Sequence, residues 1–313
     1  MTYFLILGMV VAATAEALCW KKNQRGPLDT LIGSALWGAI IATPVLLITL
    51  LTADDVFQHV TLAVIGHTLL VNLFTMICIM AWVMVLKNMP ISIAKPISLV
   101  RLVFLTFFSW LIFGGELGAW QIIMVGLIFV FCSSLGYLQG KDAGTSNTMS
   151  CTSGPLGQCG PSCVITCKAN PDFKKGLLYM GIWVTSLIAL EMFAKTVMET
   201  GIRSTTYVFV RFWLLFIVVI PLLFIYKNGF KKTKAACLDK YVIAIGILWA
   251  TVSTFFNTLL GQGMNVGIVS AINTASVPLV IIGGVLIFRE KVKWYSYIFI
   301  ALILACAVVL SLL

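Results

Sequence analysis

Charged side chains are scarce in this chain of 313 residues: Asp, Glu, Lys and Arg make up only 10%, against 60% hydrophobic residues and a mean hydropathy of +1.05. That excludes a soluble globule, which could not coat a core of this size with so little polar surface. Histidine is nearly missing, with only His59 and His67, which excludes the His-cluster metal site of an integral-membrane enzyme. No nucleophile with an adjacent base and no acidic pair falls at a membrane surface, so the chain is read as a non-enzyme with no catalytic residue and no cofactor. There is no ATP-binding phosphate loop, which leaves an ion gradient, substrate exchange or the substrate's own gradient as the energy source. Acidic residues are rarer still, 11 against 21 Lys and Arg, for a net charge of +10. The basic residues collect between apolar runs, where they orient a membrane protein, and so nucleic acid is not expected as a partner. The first apolar run also lacks a basic segment before it, while Lys21, Lys22 and Arg25 follow it. It reads as a retained helix and not as a cleaved signal peptide.

What the chain has is apolar runs of spanning length, at about 2–20, 30–52, 61–86, 91–114, 118–138, 176–198, 204–227, 241–262, 266–288 and 292–313. Backbone groups in lipid must bond within the segment or within a closed barrel, and runs of about 20 residues fit helices where barrel strands need only about 10. Short connections such as Lys87-Asn88-Met89-Pro90 make antiparallel neighbours. One alternate set of loops holds Lys21, Lys22, Arg25, Lys87, Lys141, Lys168, Lys174, Lys175 and the later basic clusters, whereas the other holds Arg203 with Asp54, Asp55, Glu116 and Glu199. The positive-inside rule then places both termini outside the cytoplasm, in a multi-pass protein of the plasma (inner) membrane.

The chain is built twice. Leu111-Ile112-Phe113-Gly114-Gly115-Glu116-Leu117-Gly118-Ala119-Trp120 returns as Leu286-Ile287-Phe288-Arg289-Glu290-Lys291-Val292-Lys293-Trp294, each copy with a Glu and then a Trp four residues later. Glu16 precedes Gly26 by ten residues as Glu191 precedes Gly201, with Trp37 and Trp213, then Pro44 and Pro221, following in each copy. Five spans per copy is an odd number, so the second copy enters the membrane upside down. The fold expected is an all-α membrane protein of ten transmembrane helices in two inverted five-helix repeats, residues 1–138 and 176–313, joined by a cytoplasmic linker at 139–175. Ten apolar helices in two copies, each with a Glu at the turn after its fourth helix and with Pro278 twelve residues before Glu290, resemble the EamA type of the drug/metabolite transporter superfamily. The resemblance covers nearly the whole chain outside the linker. It implies a secondary carrier of a small polar metabolite or drug; the first copy departs from the pattern by placing Pro96 twenty residues before Glu116.

An ion at mid-membrane costs about 2.5–3.5 kcal/mol on insertion scales, so each one needs a partner or a wet cavity. The candidates for the substrate or ion pathway are Glu16, Lys95, Arg101, Glu191, Lys195, Tyr207 and Arg211. With the orientation above, Glu16 and Glu191 fall near opposite mouths and Arg101 near mid-depth. Glu191 and Lys195, four apart, share a face and are expected to pair, either as a local neutralising contact or as a pathway pair broken by substrate or proton. Glu16 has only Trp20 and Cys19 near it on its own helix, and is a candidate for proton coupling. Ser204, Tyr207 and Arg211 form one stripe; Arg211 either snorkels to the interface or grips an anion with its planar fork. Lys95 and Arg101, six apart, do not share a helix face, so only one is expected to line the centre. The excess of buried cations favours an anionic or carboxylate-bearing substrate. Trp37, Trp82, Trp213 and Trp249 either pack or stack on substrate, and Gly263 with Gly267 spells a small-xxx-small helix contact. Glu116 and Glu290 are read as structural, accepting from free amides at the start of the next helix.

The linker carries Cys151, Cys159, Cys163 and Cys167, but C-x7-C-x3-C-x3-C lacks the paired CxxC knuckles of common zinc sites. These are weak metal candidates, and no metal is assigned. Three functions stand side by side: a carrier, preferably an exporter, working by alternating access on a small-molecule substrate in the lipid bilayer; a translocator of lipid-linked or amphiphilic molecules; and a membrane sensor or scaffold using the cysteine loop.

Overall fold

The computed structural model describes residues 2–23, 25–52, 55–113, 119–145, 173–225, 229–274, 276–289 and 293–312. Glu116, Glu290 and the four linker cysteines lie outside them. Among the described residues there are helices and no strand, as lipid requires of a chain that has no closed barrel. In order these are α1 (Thr2–Lys22), α2 (Pro27–Thr52), α3 (Leu62–Asn88), α4 (Ile91–Ser98), α5 (Val100–Phe113), α6 (Ala119–Thr145), α7 (Phe173–Glu199), α8 (Ser204–Val219), α9 (Leu222–Ile225), α10 (Gly229–Cys237), α11 (Lys240–Gly261), α12 (Val266–Thr274), α13 (Ser276–Phe288) and α14 (Trp294–Leu312). Among the described residues seven stretches are long and apolar enough to cross a membrane, counting Ile91–Phe113 and Val266–Phe288 as single stretches; Ile122–Leu135, Ser204–Val219 and Trp294–Cys306 are shorter apolar helices.

Two runs expected as single helices are interrupted, and proline marks each place. Pro96 sits in the last turn of α4; it has no N–H for the carbonyl four residues back, and the chain tightens so that the Leu99 amide donates to the Pro96 carbonyl at 3.1 Å and the Leu102 amide to the Leu99 carbonyl at 2.9 Å. Pro221 stands between α8 and α9. The basic stretch before Lys240 also folds into the short helix α10, which packs on α2, where a loop was expected.

The most extensive packing joins α3 to α7 and α1 to α11. Around these, α2 packs on α8 and on α11, α3 on α8, α4 on α13, α6 on α14, α5 on α6 and α7, and α12 on α14 and α1. Close approach depends on small residues: a Cβ on Gly246 of α11 would lie 2.8 Å from the Ser34 carbonyl oxygen and 2.6 Å from Trp37 Cβ on α2. Gly263 and Gly267 do not form the expected contact. Gly263 has φ +86° in the turn before α12, where a left-handed backbone favours glycine, while Gly267 lies inside α12 against Thr106. Tyr3, Phe4, Leu51, Leu62, Leu111, Trp120 and Leu286 are exposed on the outside, and Arg101, Glu191 and Arg211 are buried. Apolar outside and ionised inside is the arrangement that a lipid solvent selects.

Candidate functional site

Glu16 of α1, Lys95 of α4, Arg101 of α5, Glu191 of α7 and Arg211 of α8 all line one cavity of about 190 Å³ at the centre of the bundle. Residues before and after the 139–175 segment both contribute. The two glutamates, expected near opposite mouths, share this single cavity. Lys95 and Arg101 both reach it as well, contrary to the expectation from an unbroken helix. The boundary at Leu99 falls between them and resets the helical phase, so a spacing of six no longer sends them to different faces.

The expected Glu191–Lys195 pair is not formed. Glu191 reaches across the bundle, where Arg101 Nη1 lies 3.3 Å from its Oε1 and the Ser270 hydroxyl of α12 donates to its Oε2 at 2.5 Å. Lys195 instead lies 3.7 Å from Glu199, one turn further along α7. Sharing a face puts two residues four apart on the same side of a helix, yet their 40° offset leaves Glu191 facing the centre and Lys195 at the helix edge. Lys195 and Tyr207 are not among the cavity's lining residues, and Tyr207 is fully buried, its hydroxyl without a partner among the described residues.

Glu16 accepts from Trp20 Nε1 at 3.1 Å, and no cation lies within ion-pair distance of it among the described residues. Lys95 Nζ lies 5.0 Å from the Trp82 ring centroid, Trp82 and Trp183 lie 4.9 Å apart, and the Arg101 guanidinium lies 5.9 Å from Trp183. Cation and ring thus alternate along this wall, a contact worth roughly 0.5–2 kcal/mol where desolvated. Arg211 does not snorkel to the interface. Its Nη2 donates to the Thr75 hydroxyl at 3.1 Å, Asn72 Nδ2 donates to its backbone carbonyl at 3.1 Å, and its guanidinium lies 5.7 Å from the Trp249 ring. Among the described residues, Nε of Arg101, Nε of Arg211 and the amide oxygens of Asn257 and Asn273 are buried without partners, and all four residues line the cavity. Orphans of this kind, gathered on one cavity, fit a site that a polar ligand completes.

Of the tryptophans singled out in the sequence, Trp82 and Trp249 face the cavity. Trp37 and Trp213 instead bond to the Cys237 carbonyl at 2.8 Å and to the Thr43 hydroxyl at 3.1 Å, holding helices together. Trp183, Thr75 and Ser270 escaped the sequence reading, which had named Trp20 beside Glu16. Trp183 carried a signal, since it is eight residues from Glu191 and on the glutamate's helical face. Nothing in the chain order tied Ser270 to Glu191, 79 residues away.

Residues 174–312 match the model of the EamA-like transporter family. No curated protein matches the chain. A solved structure described only as "Crystal structure of protein" shares the fold with a TM-score of 0.59 and 14% identity, over 99% of this chain and 96% of that one.

Proposed function

We propose that this chain, whose residues 174–312 match the EamA-like transporter family, a part of the drug/metabolite transporter superfamily, carries a small anionic molecule across the membrane by alternating access. One observation carries this reading: a central cavity lined by three cations and two carboxylates, inside a bundle whose exterior is apolar. Burying five ions is costly unless they serve a polar cargo, and the excess of positive charge favours an anion.

Ten spans in two inverted five-helix repeats, residues 1–138 and 176–313 with the linker 139–175 between them, are part of the proposal. Supporting it, helix contacts have counterparts when the halves are exchanged. The α3–α7 contact corresponds to α11–α1, α3–α8 to α11–α2, α4–α13 to α12–α5, and α5–α6 to α13–α14, while α2–α8 and α6–α14 map onto themselves. Two halves that swap conformations would open the shared cavity to alternate sides, preferably outward as an exporter. Both termini would lie outside the cytoplasm of the inner membrane.

Glu16 is the proposed proton-coupling carboxylate, because it faces the cavity and forms no ion pair, whereas its counterpart Glu191 is held by Arg101 and Ser270. The test is uptake into proteoliposomes of a panel of organic anions, amino acids, nucleosides and lipophilic cations, with and without a pH gradient. Anion flux that rises with the gradient, and loses this dependence in Glu16→Gln, is the expected result. Flux of cations alone would overturn the anion reading, and an unchanged gradient response in Glu16→Gln would remove proton coupling from that residue.

A further inference from the structure

We propose that the cavity takes an aromatic monocarboxylate, with the Arg211 guanidinium holding the carboxylate and Trp249 flanking it; this rests on the cavity being the substrate site. The three cations there are not equivalent. Arg101 is committed to Glu191 at 3.3 Å, and Lys95 lies against Trp82 at 5.0 Å. Arg211 meets only neutral groups: the Thr75 hydroxyl at 3.1 Å, and the rings of Trp249 and Phe212 at 5.7 and 6.0 Å. Among the described residues no carboxylate lies within ion-pair distance of it, and its Nε is buried with no partner. A buried guanidinium with a free N–H on a cavity wall is complemented by a planar anion that brings two oxygens.

Charge and shape narrow the class. Lys95, Arg101 and Arg211 against Glu16 and Glu191 leave the wall with one net positive charge, which one negative charge neutralises. A dianionic phosphate or dicarboxylate would overshoot and bring its second charge toward two glutamates. At about 190 Å³ the space is smaller than the roughly 300–1,000 Å³ of sites for drug-sized ligands, so the ligand is small. Trp20, Trp82, Trp183, Trp249 and Phe256 supply much of the lining, and planar rings of this kind stack on a planar body. The partnerless amide oxygens of Asn257 and Asn273 would accept from a hydroxyl on that body, which sets preference within the class.

Calorimetric titration of the purified full chain tests this with four probes: 3-phenylpropionate, phenylphosphonate, phenethylammonium and propionate. We expect 3-phenylpropionate to bind at least tenfold more tightly than the other three. Arg211→Gln should weaken it at least tenfold, and Arg211→Lys by less. Should Arg211→Gln lose its melting transition, Trp249→Leu stands in, expected to erase the preference for 3-phenylpropionate over propionate. Undetectable 3-phenylpropionate binding, equal binding of phenylphosphonate or phenethylammonium, or unchanged affinity in a folded Arg211→Gln would each overturn the proposal. If a different ligand class in the transport panel is moved and responds to Glu16→Gln, the cavity stands as the substrate site and only the class fails. If no transported compound responds to substitution of Glu16, Lys95 or Arg211, the cavity reading fails with it.

Discussion

Glu16 and Glu191, equivalent in the proposed repeat, hold different chemistry. Glu191 has a cation and a hydroxyl fixed on its two oxygens, while Glu16 has a single indole N–H from its own helix. The difference traces to the fourth helix of each copy. At the spacing that matches Glu116 to Glu290 and Gly26 to Gly201, the proposed second copy offers Ala275 or Ser276 where the first has Arg101. Removing one partner of a buried pair strands the other charge, at about 3–5 kcal/mol, whereas replacing both with apolar residues is often neutral. Arg101→Met should therefore lower the unfolding free energy by about that amount, and adding Glu191→Leu should restore most of it, as read from denaturant titration of the purified protein. A double variant no more stable than Arg101→Met would show that the pair is not what holds these helices.

Among the elements, the boundary between α4 and α5 decides which side chains reach the cavity. Pro96 lies three residues before Leu99, and the phase change there lets Lys95 and Arg101 face the same space. Pro96→Ala should favour a continuous helix over 91–113, turning one of these cations off the cavity. Transport should fall at least tenfold while thermal stability holds or rises; full flux in this variant would remove the boundary's functional role. Gly246 tests the packing that frames the other wall. A Cβ there would press on the α2 backbone at 2.8 Å, so Gly246→Ala should destabilise by about 1–3 kcal/mol, the usual range for overpacking a filled interface. A shift in melting temperature of less than a degree would count against that tight contact.

For the molecule as a whole, each half makes its largest contacts with the other half, α3 on α7 and α1 on α11, so neither encloses the cavity alone. Residues 1–145 and 173–313, expressed as separate chains, should each fail to accumulate, and coexpression should recover a complex that transports. A half that is stable and active by itself would contradict this. The proposed orientation, with both termini outside the cytoplasm, predicts that a phosphatase fused after Leu313 is active and a fluorescent protein there dark; the reverse would invert the orientation. The all-helical membrane class, most spans and five of the cavity's ionised residues were legible in the sequence, because burying ions and exposing backbone in lipid are so unfavourable that composition and run length alone betray them. Partner choice was not legible. Which carboxylate Arg101 meets, that Lys195 turns to Glu199, and that Arg211 is left without a counterion depend on how helices distant in sequence cross and where two of them are interrupted. An ion pair forms only within a few ångströms, and a distance of that kind exists only once the halves have packed together.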